Sequence, residues 1–487
     1  MTTVSTSLLS GKRFRLQCLF LIQFLLLSLN TEAAVREIDG IYYTLDVKTG
    51  QAEVAGSNLL YIVIPDSVVY EGRTFHVTAV GKRAFYQARP KSISLPNSVK
   101  AIRESAFMNV RYIREIPLPN GVKTIEPRAF HGCKELELFH IPDSLESLGW
   151  SVFDECKNID SVFVNSLEHW LSISRGSLGC NIPHLIANGK EVTDLTIPST
   201  ISTILPTTFY YCTGLKTVTI PEGVTDIGSY AFAGCSNLES VSIANSVSNI
   251  DGSVFSGCSK LTEITIPEGV TVISDYLFSG CSSLRSVNLP KHITSIGYSA
   301  FSDCTGLTSF VVPEKTVTIG IHAFSRCSAL ASVSLPEGLD SIGGSAFMEC
   351  TALSSITIPS SVTYIGNYAF GYLGDNLKEF ICLSPQAPDT GWSWQSPFSY
   401  TDIDFAKLYV PSESIDHYKS TAPWSNFGEV LPITTGIGKT HLMDDGRKTY
   451  YDLQGRRLNA KPSKGVYIQR SAEGRLQGKN GKKYVMK

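Results

Sequence analysis

A phenylalanine recurs every 23 residues through the central part of this 487-residue chain, and this period constrains the fold more than any other feature. Self-similarity at a fixed period of roughly 20–50 residues is typical of solenoids, in which each repeat forms one coil and packs against its neighbours. The sequence therefore predicts a β-rich solenoid with these rings in its core. They are Phe209, Phe232, Phe255, Phe278, Phe301, Phe324, Phe347 and Phe370.

A cysteine follows three residues after most of these phenylalanines: Cys212, Cys235, Cys258, Cys281, Cys304, Cys327 and Cys350. Equivalent positions of successive coils stack at about 4.8 Å, so we interpret the cysteines as a column of small, reduced, buried side chains. Of the 12 cysteines, Cys18 would leave with an N-terminal signal, and the odd remainder excludes complete internal pairing. Disulfides between neighbouring coils remain an alternative. The spacing lacks the paired-ligand pattern of a zinc site.

Each coil is predicted to contain two short extended segments. The first, such as residues 261–267, alternates apolar and polar side chains and ends at a proline, which has no N–H for a β-ladder. The second, such as residues 270–273, leads into a tight Ala-Phe turn. No segment has the length and 3.6-residue periodicity of a full helix.

The same pattern begins earlier in the chain, with anchors at Phe85, Phe107, Phe130 and Phe153. The next anchor, Phe209, lies 56 residues on, so one coil carries about ten extra residues. Counting this variant coil, we predict a curved stack of about thirteen coils. After the last anchor, Ser412 is expected to cap a short helix over residues 413–420, with Trp424 and Phe427 packed behind it.

Both ends of the chain depart from the period. Lys12, Arg13 and Arg15 precede a short apolar run and a small-residue cleavage site at residues 31–33, which is typical of a secretory signal peptide. That run is shorter than the ~20 residues of a membrane-spanning helix. The predicted divisions are a signal peptide (1–33), an N-terminal β cap (34–60), the solenoid (61–384, with the variant coil at about 154–198), a C-terminal cap (385–433), a linker (434–440) and a small β domain (441–487).

Charge divides unevenly along the chain. The formal net charge is −2, of which residues 1–33 carry +2 and residues 437–487 carry +9, so residues 34–436 carry −13. An acidic body makes nucleic acid an improbable partner for the solenoid.

Two kinds of surface column are candidates for binding. The position two residues before each anchor alternates between large and small side chains, with the large ones at Tyr230, Tyr276, His322 and Tyr368, on every second coil and roughly 10 Å apart. Tyrosine is enriched in protein-binding hot spots, so this column is a candidate stripe, although alternation for packing alone is equally compatible with it. An outward strand column supplies the second set: Thr219, Ser242, Thr265, Asn288, Ser334 and Thr357. The alternative for that set is a soluble, β-favouring surface.

Catalytic and cofactor motifs are missing from the sequence. Gly438-Lys-Thr440 lacks the earlier glycine of a phosphate loop, because position 433 is Ile433. The nine histidines are scattered, and no metalloprotease or serine-hydrolase motif is found. We therefore predict no catalytic residues, no metal site and no cofactor. Trp170, Trp392 and Trp394 are compatible with a carbohydrate ligand, but they belong to a coil insertion and a loop where packing explains them equally well.

The repeat Ile-Pro-x-x-Val-x-x-Ile-Gly-x-x-Ala-Phe-x-x-Cys-x-x-Leu, as at residues 220–238, resembles the BspA-like, or treponemal-type, leucine-rich repeats. The resemblance covers roughly residues 60–410. It implies a horseshoe or curved solenoid on an exported bacterial surface protein, without catalytic residues. Members are associated with adhesion to host proteins and to other bacteria.

The C-terminal tail carries a second resemblance. The segments Tyr450–Arg457, Gly465–Ile468 and Gly481–Lys487 are similar to the C-terminal sorting domain of type IX secretion cargo. This resemblance implies passage across the outer membrane and surface anchoring. The alternative is a small appended β domain without that role.

Together these features predict a secreted or outer-membrane-surface protein that mediates protein binding or adhesion without catalysis. The expected partner is an extracellular host or bacterial protein, or a glycan, with no nucleic acid and no membrane span. The alternative functions are a structural spacer in the cell envelope or matrix and a carbohydrate-binding surface protein.

Overall fold

The computed structural model describes residues 33–176, 178–391 and 395–433, together with short strands between residues 449 and 486. The described residues form about sixteen turns of β-solenoid with little helix, so the predicted leucine-rich-repeat fold is confirmed. The coil count of thirteen was too low. One reason is that the segment predicted as an irregular C-terminal cap adds strands to the same parallel ladder.

The chain forms two compact units, Met1–Glu191 and Val192–Lys487. Among its described residues, the first unit contains one α-helix, α1 (Leu167–Ser172). Its strands are β1 (Ala33–Ile38), β2 (Ile41–Asp46), β3 (Gln51–Ser57), β4 (Tyr61–Val63), β5 (Ser67–Tyr70), β6 (Arg73–Val80), β7 (Ser92–Ser94), β8 (Ala101–Ile102), β9 (Thr124–Ile125), β10 (Leu138–His140), β11 (Ser147–Leu148), β12 (Ser161–Val164), β13 (Ser174–Arg175), β14 (His184–Ala187) and β15 (Lys190–Glu191).

The main sheet of the first unit changes from antiparallel to parallel pairing. Strands β1, β2 and β3 pair antiparallel, and β3 then pairs with β6 in parallel. The order continues through β8, β9, β11 and β13, while β10, β12, β14 and β15 form a second sheet and β4 pairs with β7. The antiparallel strands therefore close one end of the parallel ladder.

The extra residues of the variant coil form α1. Ser166 caps this helix, because its hydroxyl accepts a hydrogen bond from the His169 N–H at 3.3 Å. The indole of Trp170 is only 1% exposed, and the Arg175 guanidinium lies over its ring at 4.2 Å. Trp170 is therefore a packing residue, which was one of the two alternatives for it, and its ring is not accessible to a carbohydrate.

In the described part of the second unit there is one α-helix, α2 (Ile415–Ser420), with 3₁₀ helices at Ile403–Phe405, Ser412–Ser414 and Trp424–Asn426. The strands of its solenoid are β16 (Asp194–Thr196), β17 (Thr203–Ile204), β18 (Thr217–Ile220), β19 (Asp226–Ile227), β20 (Ser240–Ile243), β21 (Asn249–Ile250), β22 (Glu263–Thr265), β23 (Val272–Ile273), β24 (Ser286–Asn288), β25 (Ser295–Ile296), β26 (Ser309–Val311), β27 (Thr318–Ile319), β28 (Ser332–Ser334), β29 (Ser341–Ile342), β30 (Ser355–Ile358), β31 (Tyr364–Ile365), β32 (Glu379–Cys382), β33 (Lys407–Val410) and β34 (Glu429–Pro432).

Each regular coil of this unit contributes one strand to each of two parallel ladders. Thr217 pairs with Ser240, and Asp226 pairs with Asn249, both 23 residues apart. The period of the sequence is thus the register of the ladder, and every core side chain lies above its equivalent in the preceding coil.

The anchor phenylalanines form a continuous stack in the core. Neighbouring ring centroids from Phe209 to Phe370 are 5.2–5.9 Å apart, and every ring is buried. The planes of neighbouring rings are nearly parallel, with interplanar angles from 1° to 20°. Stacked rings of this kind contribute beyond the apolar area that they bury.

The repeat cysteines hold a hydrogen-bonding position in this core. The Cys258 thiol donates to the Phe232 carbonyl of the preceding coil at 3.3 Å, and the Cys281 thiol donates to the Phe255 carbonyl at 3.1 Å. The same bond repeats at Cys235, Cys304, Cys327 and Cys350. The eleven described cysteines are buried and unpaired by disulfides.

The C-terminal end continues the ladder and then covers it. Strands β33 and β34 pair in parallel beyond β32, and the Trp424 ring packs against Tyr418 and Phe398 at centroid distances of 5.7 and 5.5 Å. The predicted helix starts later than expected. Ser412–Ser414 is a 3₁₀ turn, and α2 begins at Ile415, without a side-chain cap from Ser414.

Short strands follow in the tail: β35 (Thr449–Tyr451), β36 (Arg457–Leu458), β37 (Gly465–Val466), β38 (Ile468–Arg470) and β39 (Val485–Met486). Strand β35 pairs antiparallel with β36 and β38, and β37 pairs antiparallel with β39. The predicted signal peptide up to residue 32, the linker at 434–440, and Trp392 and Trp394 lie outside the described residues.

Candidate functional site

The backbone around each anchor phenylalanine follows one geometry. The residues two before and two after the anchor have positive φ, as at Tyr230 (59°) and Gly234 (75°). Their N–H groups donate to the next coil, from Tyr230 to the Gly252 carbonyl at 3.2 Å and from Gly234 to the Ser256 carbonyl at 2.7 Å. We call the residues from four before to two after each anchor, in the coils from Phe209 onward, the turn face. Backbone bonds build this face, so its side chains can vary.

The predicted tyrosine column lies on the turn face at the first positive-φ position. Tyr230 and Tyr276 are 47% and 41% exposed, while His322 and Tyr368 are half-buried. The small members of the column are buried: Ser253, Ser299 and Ser345. The alternation of size in the sequence is therefore an alternation of exposure.

The rings are not isolated at the expected 10 Å. Tyr298, which is 37% exposed, contacts Tyr276 at a centroid distance of 5.0 Å and His322 at 5.7 Å. The ring of Tyr298 thus occupies the place that Ser299 leaves open. Sequence reasoning missed Tyr298 because it precedes the aligned column by one residue, and only the turn geometry brings the two positions together.

More rings occur at the second positive-φ position and beside it. The Tyr372 and Tyr400 rings stack at 4.4 Å, and Tyr400 is 67% exposed. Alignment of the residues two after each anchor would have found them. We call the combined set the tyrosine surface: Tyr210, Tyr211, Tyr230, Tyr276, Tyr298, His322, Tyr368, Tyr372 and Tyr400.

Folding does not require tyrosine at these positions. Equivalent coils carry Ser253 or Ser345 at the first position and Gly257 or Glu349 at the second, with the same positive φ. A residue with a Cβ at positive φ costs of order 1 kcal/mol or more, and tyrosine has none of the local hydrogen bonding that favours Asn or Asp there. Because serine, histidine and glutamate adopt the same conformation in equivalent coils, the backbone does not determine which side chain stands at these positions.

Carboxylates lie among the rings. The Asp275 side chain accepts a hydrogen bond from the Tyr298 N–H at 2.7 Å. The pKa of the Tyr276 hydroxyl is raised, mainly because packing removes water from it, with smaller contributions from Tyr298 and Asp275. The pKa of His322 is lowered by burial and then by Arg326, so this ring is neutral at pH 7.

The hydroxyl columns lie on the strand face and not on the turn face. Thr219, Ser242, Thr265 and Asn288 are exposed, and Ser334 and Thr357 are half-buried. Asn288 donates to the Thr265 hydroxyl at 3.1 Å. Val311 interrupts this column, and it is 57% exposed. The strand face therefore offers scattered polar groups without a cluster of rings.

Within the described residues, no three side chains of histidine, cysteine, aspartate or glutamate are arranged to hold a metal ion. A glutamate in the turn after a strand can link neighbouring coils. Glu222 accepts hydrogen bonds from the N–H groups of Asn245 and Ser246 in the next coil, both at 3.2 Å.

None of the described helices has the length and apolar character needed to cross a bilayer.

Comparison with solved structures finds other leucine-rich repeat proteins. A leucine-rich repeat protein from Bacteroides ovatus is 26% identical, with 67% of this chain and 95% of that chain covered and a TM-score of 0.44. A leucine rich cell surface protein from Faecalibacterium prausnitzii is 19% identical, with 82% and 95% covered and a TM-score of 0.42. The pneumococcal vaccine antigen PcpA is 19% identical, with 82% and 98% covered and a TM-score of 0.46.

No curated protein matches the sequence. A family profile described as "BspA type Leucine rich repeat region" matches six copies, over residues 76–177, 181–308 and 294–386. These ranges contain every anchor from Phe85 to Phe370 and most of the turn face.

Proposed function

The chain belongs to the BspA-type leucine-rich repeat family, and we propose that it is a cell-surface adhesin that binds an extracellular protein through its tyrosine surface, without catalysis. The observation that carries this proposal is the contact row of Tyr276, Tyr298 and His322, three partly exposed rings from three consecutive coils. Such rings supply large apolar area at low conformational cost, which is why tyrosine is frequent in binding hot spots.

The test compares binding of two variants of the full chain to a panel of purified extracellular-matrix, plasma and bacterial surface proteins. In the first variant Tyr276→Ser and Tyr298→Ser remove rings. In the second, Thr219→Ala and Ser242→Ala shorten the same number of side chains on the strand face. We expect the first variant to lose at least tenfold in affinity for any protein that the parent binds, and the second to bind as the parent does.

Circular dichroism and the unfolding midpoint establish that both variants are folded. Equal binding by the parent and the ring variant would contradict the use of this surface. A parent chain that binds none of the panel would favour the structural spacer.

Export and anchoring form a separate part of the proposal. Residues 1–33 act as the signal peptide, the caps and linker divide the chain as predicted above, and residues 441–487 act as the sorting domain. The antiparallel pairing of β35 with β38 supports a small β unit in the tail. Mass spectrometry of the protein recovered from the cell surface tests this, because cleavage after residue 33 and within or before the tail is expected. An intact N-terminus on the surface protein would contradict it.

A further inference from the structure

We propose that the turn face of the second unit binds a basic polypeptide segment, whose lysine or arginine side chains lie against the tyrosine rings and beside the carboxylates between them. This inference rests on the proposed function, because it names the chemistry of the partner at the same surface. It is argued from charge, from ion pairing and from a comparison with the first unit.

The turn face of the coils from Phe232 to Phe370 carries an excess of negative charge. Its charged residues are Asp251, Asp275, Asp303, Arg326 and Glu349, which leaves a net charge of −3. Arg326 already forms an ion pair, because its guanidinium donates two hydrogen bonds of 2.6 and 2.8 Å to the Asp303 carboxylate. Glu349 lies close enough to Arg326 to attract it electrostatically, but it shares that cation with Asp303. Asp251 and Asp275 form no ion pair within the described part of the chain.

Neutral groups hold two of those carboxylates in place. Asp251 accepts hydrogen bonds from the Ser229 hydroxyl at 3.4 Å and from the Asn249 amide at 3.2 Å. Asp275 accepts only the Tyr298 N–H among its described side-chain contacts. These bonds orient the carboxylates without neutralising them, so their charge remains available to an external cation.

The first unit shows the same turn positions filled by the protein's own cations. Arg83 and Arg128 occupy the position that Tyr230 and Tyr276 occupy in the second unit, two residues before the anchor. The Arg128 guanidinium lies over the Trp150 ring at 4.4 Å, and the Arg83 guanidinium lies over the Tyr86 ring at 5.5 Å.

Carboxylates of those first-unit turns are paired as well. Lys82 binds Glu104 at 2.6 Å, and Arg103 binds Glu126 at 2.9 Å. In the second unit, rings replace the arginines and the carboxylates remain. The arrangement of rings and carboxylates is therefore one that accepts cations, and a partner must supply them.

The size of the row fits an extended segment. Tyr276, Tyr298 and His322 come from three consecutive coils, so the row is about 10 Å long. About three residues of extended chain span that length. A cation over a ring with a carboxylate nearby gains both cation–π and ionic attraction, each modest when exposed.

The experiment measures binding of fluorescent eight-residue peptides to the full chain by anisotropy. The probes are a lysine-rich peptide, the same peptide with every lysine acetylated, and a neutral oligosaccharide of similar mass. We expect the lysine-rich peptide to bind at least tenfold more tightly than its acetylated form, with the difference shrinking in 0.5 M salt because exposed charges are screened.

A matched pair of variants locates the binding. The first carries Asp251→Asn, Asp275→Asn and Glu349→Gln. The second carries Glu239→Gln, Glu263→Gln and Glu314→Gln, which neutralise the same number of exposed carboxylates away from the turn face. We expect a loss of at least tenfold in the first and less than twofold in the second. Equal losses in both would show attraction to the acidic body alone and would overturn the proposal.

The role of the rings needs its own variant. Tyr298→Leu keeps apolar area but removes the aromatic face, and a severalfold loss of lysine-peptide binding is expected even in 0.5 M salt. Tighter binding of the oligosaccharide than of the lysine-rich peptide would overturn the inference.

Two further outcomes separate this inference from the proposed function. A protein partner that needs Tyr276 and Tyr298 but ignores salt and the carboxylate variant would overturn the inference and leave the proposed function standing. Competition by a synthetic peptide of residues 437–487, whose net charge is +9, would support the inference and identify the chain's own tail as one occupant.

Discussion

At the scale of the residue, each coil from Phe209 to Phe370 contains two positions in the left-handed region of φ. The backbone at these positions is the same in every coil while the side chains differ, so folding and binding can depend on different groups. Three successive coils use glycine at the second position, namely Gly234, Gly257 and Gly280. Their Cα atoms approach closely, since a Cβ on Gly257 would lie 3.5 Å from the Gly234 Cα. Other coils use Tyr372 or Glu349, which gain nothing from the backbone at that position.

At this second position, a change to glycine and a change from glycine to alanine should therefore shift the free energy of unfolding in opposite directions. Glu349→Gly relieves a positive φ of 60°, and we expect the free energy of unfolding to rise by up to about 1 kcal/mol, since glycine adopts this region without the Cβ penalty. Gly257→Ala imposes the same penalty and should lower it by about 1 kcal/mol. Chemical denaturation of both variants measures the two shifts. Shifts of the same sign would contradict the explanation.

At the scale of the element, the coil is held to its predecessor by a thiol as well as by backbone bonds. The Phe255 carbonyl accepts from the Cys258 N–H at 3.2 Å and from the Cys281 thiol at 3.1 Å. Burial raises the pKa of the Cys281 and Cys327 thiols to about 12. The protonated thiol is thus both the donor and the only form that the core tolerates.

This column makes stability sensitive to alkali. The folded pKa lies above the unfolded value of about 9, so the unfolded chain loses protons first and stability falls between about pH 9 and pH 12. Each thiol contributes at most about 1.4 kcal/mol per pH unit. Denaturation at pH 7, 9 and 11 with a reductant present should show a smaller decline in the Cys281→Ala, Cys327→Ala double variant. Parallel declines in parent and variant would exclude the thiols as the cause.

Periodicity was sufficient to predict the elements that depend on position within the coil. The Phe stack, the parallel register and the solenoid follow from residues that repeat, because identical coils must bury identical faces. Tyr298 could not be found this way, because its contact with His322 depends on backbone turns that displace neighbouring columns. The role of Trp170 stayed open between packing and carbohydrate binding, because the variant coil has no second copy to compare. The late start of α2 at Ile415 reflects a 3₁₀ turn that capping signals do not distinguish.

At the scale of the whole molecule, the second unit is a stack whose coils are interchangeable in the core. Removal of residues 279–301 deletes one period and joins Phe278 to Ser302, which continues the motif. We expect this deletion variant to fold with a cooperative transition. Deletion of residues 279–290 should prevent folding of that region, because a half-period places polar strand positions in the core. Circular dichroism and size-exclusion chromatography distinguish the outcomes. A folded half-period variant would contradict the view that coils can be exchanged only in whole periods.

The parallel ladder also decides how the second unit would respond to force. Hydrogen bonds join each coil only to the coil before and after it, as in the pairing of Thr217 with Ser240. Tension applied at one end therefore loads a single interface at a time, and each rupture frees a 23-residue length that extends by roughly 80 Å. Under steady tension the unit would therefore lengthen in a series of small yields, each releasing one coil while the coils behind it stay folded.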